Sequence, residues 1–109
     1  MGNNLKLNWP ISPIVATLGG KVEVLTPYGY EKVNVPAGTA SGDVIMLKDK
    51  GIKTKDATGN LMIIVTVEPI INLTKEQKNL LMQLQKQLSS NNFKKEKLMR
   101  QKADEFLKD

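Results

Sequence analysis

Residues 21–35 read KVEVLTPYGYEKVNV and carry the clearest structural signal of the chain. Their two outer segments, 21–26 and 30–35, alternate apolar and polar residues, which is the period of a half-buried β-strand. Between the segments stands Pro27-Tyr28-Gly29, a combination typical of a turn. The stretch therefore predicts a β-hairpin.

Three further segments predict strands. Residues 5–9 alternate apolar and polar types and are expected to end at Pro10. The runs 44–47 and 61–65 are apolar on both faces. The segment between these two runs, residues 48–60, is polar with a glycine towards each end, so it predicts a long loop.

One short helix is predicted before the hairpin. Ser12 is a favoured N-cap residue, Pro13 fits the first helical position, and Gly19-Gly20 is typical of a helix end. A helix of about two turns is not stable alone and has to pack on a sheet. With five strands it predicts a mainly β fold: a small antiparallel two-sheet β-sandwich with one short helix, followed by a C-terminal helical tail.

In the tail the repeat of apolar residues along the sequence changes from every second residue, as in a strand, to every 3.6 residues, as in a helix. Thr74 and Gln77 have the spacing of a capping box, which begins a helix. Its apolar stripe consists of four leucines, Leu80, Leu81, Leu84 and Leu88. The polar segment 89–92 breaks this helix, and Asn92 is expected to cap a second one running from residue 93 to about residue 107.

The chain contains no cysteine and no histidine. These absences exclude disulfides and thiolate metal sites, and they remove the commonest general base and metal ligand. An enzyme would have to use carboxylates, for instance Glu23 and Glu31 facing each other across the hairpin, although paired exposed Glu residues are usually solvated surface. We therefore expect no enzyme, no cofactor and no metal site.

The net charge of +5 is unevenly distributed. Residues 1–72 contain seven Lys and six acidic residues, whereas residues 73–109 contain nine basic and five acidic residues. The alternative function to consider is a small basic RNA- or ribosome-associated protein. That function requires basic residues gathered near exposed aromatics on the β body, but the excess lies in the tail, where lysine is an ordinary helix surface residue. No nucleic-acid partner is expected.

The N-terminal segment has no signal-peptide pattern, since Asn3, Asn4 and Lys6 interrupt any apolar core. No apolar run approaches the roughly 20 residues that span a bilayer. The expectation is a cytoplasmic protein without a membrane partner.

Residues 35–47, VPAGTASGDVIML, contain two glycines at a spacing close to that of a phosphate-binding loop. A P-loop needs four residues between its glycines and then a lysine that reaches the terminal phosphates. Here the second glycine, Gly42, comes one residue early, and Asp43 follows it with a charge that repels phosphate. The stretch is therefore predicted to connect two strands, with glycines supplying positive φ angles.

Several short motifs follow one another in a recognisable order: Pro10-Ile11-Ser12-Pro13, Ala16-x-Leu18-Gly19-Gly20, Val35-Pro36-Ala37-Gly38-Thr39 with Gly42, Gly59-Asn60-Leu61, and Leu73-Thr74-x-Glu76-Gln77. In this order the chain resembles the second C-terminal β-domain of DnaJ-type co-chaperones, in register from residue 5 to about residue 88. Two departures are local: Asp49 stands where the family usually has glycine, and one extra residue lies between Pro69 and Leu73.

The resemblance implies a fragment of such a co-chaperone. The J-domain motif that stimulates a DnaK-type ATPase needs a histidine and the family's zinc module needs cysteines, so this chain is expected neither to stimulate ATP hydrolysis nor to bind zinc. The resemblance also implies a client-binding-type β-sandwich domain over residues 3–72 and C-terminal dimerisation helices over residues 73–109. The expected partners are unfolded or partly folded client proteins, a second copy of the chain, and a DnaK-type chaperone reached through other parts of a full-length protein.

Two sets of candidate residues follow from the resemblance. The client-binding candidates lie on the strands that flank the glycine loop, and ordinary core packing is the alternative for each: Val33, Val35, Ile45 and Leu47. The dimerisation candidates are the apolar residues of the last helix, and folding back on the chain's own body is the alternative for them: Phe93, Leu98, Met99, Ala103, Phe106 and Leu107.

Overall fold

The computed structural model describes residues 2–108. In chain order its elements are β1 (Leu5–Ile11), α1 (Pro13–Leu18), β2 (Gly20–Thr26), β3 (Gly29–Val35), β4 (Val44–Leu47), β5 (Leu61–Val67), α2 (Lys75–Gln87), a 3₁₀ turn (Ser90–Asn92) and α3 (Lys94–Leu107). Residues up to Ile70 form one compact unit and residues from Ile71 onward form a second. No helix within the described range is long and apolar enough to cross a membrane.

The first unit contains two sheets. One has the strand order β1-β5-β4, and the other is the hairpin of β2 and β3, which pair antiparallel as predicted. This confirms the predicted two-sheet β fold with one short helix and a helical tail. One pairing differs from the antiparallel expectation, because β1 runs parallel to β5, with Leu5 beside Leu61. The intervening helix, hairpin and β4 provide the long connection that a parallel pair requires.

Pro10 does not end the first strand, which continues to Ile11. The amide of Leu5 donates a hydrogen bond to the carbonyl of Asn60 at 2.9 Å, so the N–H groups of odd-numbered β1 residues point towards β5. The nitrogen of Pro10 then points to the outer edge of the sheet, where no strand of residues 2–108 needs a donor. The expectation that Pro10 stops the strand was wrong for this reason.

Side chains from both sheets meet in a core of two adjoining clusters, which share partly buried side chains such as Trp9. Along β2, β3 and β5 burial alternates, and the inward-facing Val24, Val35, Ile63 and Val65 are at most 1% exposed. Ala16 is the buried residue of α1 and packs in the same core. The short helix therefore closes one side of the sandwich, which explains its stability despite its length.

The caps of α1 follow the sequence prediction. The Ser12 hydroxyl accepts a hydrogen bond from the Ile14 amide at 3.1 Å, and Pro13 occupies the first helical position. The helix ends at Gly19, which has a φ of 82°. A Cβ there would lie 2.9 Å from the backbone nitrogen of Ala37, so only glycine fits both the angle and the space.

The glycine loop connects β3 to β4, as predicted. Its amides bond within the protein: Gly38 donates to Thr17 at 3.2 Å, and Thr39 donates to Ala16 at 2.9 Å. The Gly42 amide donates to the carbonyl of Val65 at 2.8 Å. These donors hold the end of α1 and the strand β5, so they are not directed at a phosphate.

The loop between β4 and β5 has structure of its own. Lys53 and Thr58 form an isolated antiparallel bridge, which makes the segment a small hairpin. Asp49 has a φ of 63°, and its amide donates to the Asn60 side chain at 3.0 Å. The left-handed backbone explains why glycine is usual at this position of the resembled domain, and aspartate is one of the few other residues that adopt this conformation readily.

In the second unit, α2 begins with the predicted capping box. The Gln77 amide donates to the Thr74 hydroxyl at 3.1 Å, and the Thr74 amide donates to the Gln77 side chain at 2.9 Å. Asn92 does not cap α3, contrary to expectation. Its side chain instead accepts from the Ser89 amide at 2.9 Å in the 3₁₀ turn, and Phe93 precedes α3 without a side-chain cap.

Candidate functional site

The four client-binding candidates from the sequence face the core. Val33 is 3% exposed and Val35 is 1% exposed, while Ile45 and Leu47 are half-buried against the same interior. This placement favours the alternative of ordinary core packing. This placement arises because successive side chains along β3 and β4 point to opposite faces of their sheets, so every second residue points inward.

Alternation also places apolar side chains on the outer face of the three-stranded sheet. Val44 and Met46 of β4 are more than half exposed. Their cross-strand partners on β5, Ile64 and Met62, are half-buried. These four residues form an outer apolar patch, and the runs of consecutive apolar residues at 44–47 and 61–65 were its signal in the sequence.

A second apolar feature is a cleft of about 320 Å³ with walls from both sheets. One wall comes from β1 and β5, and the other comes from the end of β2 and the hairpin turn. The lining residues are Leu5, Lys6, Leu7, Leu25, Thr26, Pro27 and Leu61. Sequence reasoning missed this cleft, although Leu25 breaks the alternation of β2 by following Val24 directly.

The hydroxyl group of Thr26 in the cleft is already engaged. The Thr26 hydroxyl donates to the carbonyl of Gly29 at 2.7 Å and accepts from the Tyr28 amide at 3.1 Å. Lys6 contributes the one charged side chain among the lining residues. The remaining surface is aliphatic, which suits an apolar side chain rather than a polar ligand.

One edge of β2 pairs with β3, and its other edge is open. Within the described residues β2 pairs with β3 alone, so the second edge of β2 offers backbone groups to another strand. Addition of an extended peptide to a free sheet edge supplies main-chain hydrogen bonds, while neighbouring pockets take alternate side chains. The cleft and this edge share Leu25 and Thr26.

A smaller opening of about 300 Å³ lies on the other side of the hairpin turn. It is lined by Tyr28, Asp49, Lys50, Lys53 and Thr58. The Lys50 ammonium lies 3.4 Å from a carboxylate oxygen of Glu31 and 5.8 Å from the centre of the Tyr28 ring. The positive charge of Lys50 in this opening is therefore partly compensated within the protein.

The carboxylates considered for an enzyme do not face each other. In the hairpin Glu23 stands opposite Lys32, and Glu31 stands opposite Val24. Cross-strand partners share a face of the sheet, so the two glutamates lie on opposite faces. The expected Glu23–Glu31 juxtaposition was wrong because their positions differ by one residue in register.

The dimerisation candidates all lie in or next to α3, and none is buried. Met99, Ala103, Phe106 and Leu107 follow helical spacing on one side of the helix. Phe106 and Leu107 are 84% and 77% exposed, which leaves most of this stripe uncovered. Leu98 flanks the stripe on the side opposite to Leu107, about 80° from Phe106 around the helix.

Comparison with known proteins identifies the family. A family model described as DnaJ C terminal domain matches residues 1–69. The chain is 36% identical over 110 residues to the "Chaperone protein DnaJ" of Fusobacterium nucleatum subsp. nucleatum, an alignment covering 99% of the chain and 28% of that relative. Proteins of the same name from Nitrosomonas europaea and Clostridioides difficile are 45% and 38% identical, over 73% and 98% of the chain and 22% and 28% of their own lengths.

The chain spans about a quarter of the length of the curated relatives it matches. The match and the fold agree, since the family region covers the whole two-sheet body. The chain therefore belongs to the DnaJ co-chaperone family and carries its C-terminal domain.

Proposed function

We propose that this chain helps a DnaJ-type co-chaperone to hold unfolded or partly folded client polypeptides for delivery to a DnaK-type partner. The proposal includes a cytoplasmic location and a symmetric dimer formed through α3. The alternative of an RNA- or ribosome-associated protein is not favoured, because the matched relatives are named as chaperones.

The observation that carries this proposal is the apolar cleft beside the free edge of β2. A client segment in extended conformation would pair with β2 and place one apolar side chain in the cleft. The lining of Leu5, Leu7, Leu25 and Leu61 offers that side chain a surface without specific polar contacts. A site of this kind is suited to many sequences, as a holder of unfolded chains requires.

Two copies would strengthen a weak contact. The cleft and the edge of β2 contact only a short segment of a client, so a single domain is expected to bind a client weakly. Two domains joined in a dimer engage two segments of the same client, and the second engagement is intramolecular. The dimer therefore supplies affinity that one cleft does not.

The substitution Leu25→Ser tests whether a client segment binds in the cleft. Leu25 is 49% exposed, so its replacement should leave stability nearly unchanged while removing an apolar wall. The probe is a fluorescent, acetylated nine-residue peptide of Ser, Thr and Gly with one central Leu. We expect the variant to bind this peptide about tenfold more weakly, because roughly 1.4 kcal/mol of apolar contact is lost.

Leu18→Ser is the matched control. Leu18 is 73% exposed on α1 and does not line the cleft. The same substitution there should leave peptide affinity as in the unaltered chain. Equal affinities for the Leu25 variant and the unaltered chain, with both folded, would contradict the assignment of client binding to this cleft.

A further inference from the structure

One hydrogen bond fastens the hairpin turn to the opposite part of the domain. The Tyr28 hydroxyl donates to the backbone carbonyl of Gly51 at 2.7 Å. Tyr28 directly follows Pro27, which lines the apolar cleft together with Leu25 and Thr26. The position of this wall of the cleft therefore depends on where Tyr28 is held.

Gly51 is a rigid point of attachment. It is buried, and its amide donates to the carbonyl of Gly59 at 3.0 Å. A Cβ on Gly51 would lie 2.6 Å from the carbonyl oxygen of Asn3, so the N-terminal backbone runs directly against it. Close packing on glycine leaves this part of the loop little room to move.

The same loop also holds the other wall of the cleft. The Ile52 amide donates to the carbonyl of Asn3 at 2.7 Å, and the Leu5 amide donates to the carbonyl of Asn60 at 2.9 Å. Leu5 lines the cleft at the start of β1. Both walls are thus attached to the loop between β4 and β5, one through backbone bonds and the other through the Tyr28 side chain.

A second contact supports the tyrosine in place. Lys50 lies next to Gly51 in sequence, over the Tyr28 ring, and its ammonium pairs with Glu31 of the hairpin. The ion pair is more than a third exposed on both sides, so it contributes little by itself. The hydroxyl bond is the stronger constraint, because it is directional and partly buried.

We propose that Tyr28 is a positioning residue that sets the width of the cleft and thereby the size of the client side chain it accepts. This inference rests on the proposed function. With the hydrogen bond in place, both walls stay attached to the loop between β4 and β5, and the cleft keeps its volume of about 320 Å³. Without it, the turn moves away from β1, and the cleft accepts an aromatic side chain more readily.

Tyr28→Phe removes the hydroxyl and keeps the ring. Three fluorescent nine-residue peptides serve as probes, each acetylated, built of Ser, Thr and Gly, and carrying a central Val, Leu or Phe. We expect the ratio of Phe-peptide to Val-peptide affinity to rise in the variant, by up to about three- to tenfold, the largest factor that the free energy of one such hydrogen bond allows. A role in overall stability alone would lower all three affinities together.

Tyr30→Phe is the matched control, since Tyr30 is 70% exposed on the same hairpin and stands opposite Leu25. It should leave the affinity ratio unchanged. An unchanged ratio in the Tyr28 variant, measured with an unaltered chain that does bind the peptides, would overturn the inference.

Methyl NMR of the peptide-free chain separates this inference from the proposed function. If the unaltered chain binds none of the peptides, the proposed function fails, and the methyl signals still test the role of Tyr28. Tyr28→Phe should shift or broaden the methyl signals of Leu5, Leu7, Leu25 and Leu61, whereas Tyr30→Phe should leave Leu5, Leu7 and Leu61 unaffected. If the methyl signals of the cleft leucines coincide in the Tyr28 variant and the unaltered chain, the Tyr28 hydroxyl does not set the width of the cleft.

Discussion

The direction of each side chain decides which apolar residues a partner can reach. On β4, Val44 points outward and Ile45 points inward, although both belong to one apolar run. Val35, on the neighbouring strand in sequence, is 1% exposed. Apolar character alone does not distinguish a binding residue from a core residue, because the direction of the side chain reverses from one strand residue to the next.

Val35→Ala and Val44→Ala form a matched pair that tests this assignment. Val35→Ala should lower the free energy of unfolding by about 2–3 kcal/mol, because two buried carbons are lost and a cavity remains. Val44 is 54% exposed, and Val44→Ala should change that free energy by less than about 0.5 kcal/mol. Urea denaturation measures both. Similar values for the two variants would contradict the inward placement of Val35.

Local chemistry made most elements predictable from the sequence. Ser12, Pro13 and Gly19 specify a helix by their own hydrogen bonds and φ angles, and the Thr74–Gln77 capping box is equally local. The cleft was not predictable in this way. Its walls join Leu5, Leu25 and Leu61, which meet only through the parallel register of β1 and β5 and the packing of the hairpin.

At the scale of elements, burial within the chain does not explain the stability of α3. It has 14 residues and no buried side chain. Isolated helices of this length are marginal in water, since ordering costs about 1–2 kcal/mol per residue. Burial of each large apolar side chain contributes about 1.5–3 kcal/mol, so a covered stripe would stabilise the helix substantially. We infer that the stripe of a second copy covers it.

Met99→Asp combined with Phe106→Asp tests this inference. Both residues lie on the exposed stripe, so two carboxylates there should convert a dimer into a monomer with a folded β body. Lys94→Asp combined with Gln101→Asp is the control, with the same seven-residue spacing on the opposite side of the helix. Sedimentation equilibrium gives the masses. A monomeric unaltered chain at high micromolar concentration would refute the dimer.

At the scale of the whole molecule, three of the apolar surfaces in the described residues have different expected roles. The cleft is assigned to clients, the α3 stripe is assigned to a second copy, and the outer patch of Val44, Met46, Met62 and Ile64 has no assigned partner. Two cleft-bearing units joined by their helical tails would hold a client at two points. The central claim is that the cleft, and not the outer patch, makes this contact.

Methyl NMR of the 12.1 kDa chain during titration with the Leu-centred peptide tests that claim most directly. We expect saturable shifts at Leu5, Leu7, Leu25 and Leu61, the four leucines of the cleft. The methyl groups of Val44, Met46, Met62 and Ile64 should stay where they are. Shifts confined to those four outer residues, or to α3, with the cleft leucines unchanged, would contradict client binding in the cleft.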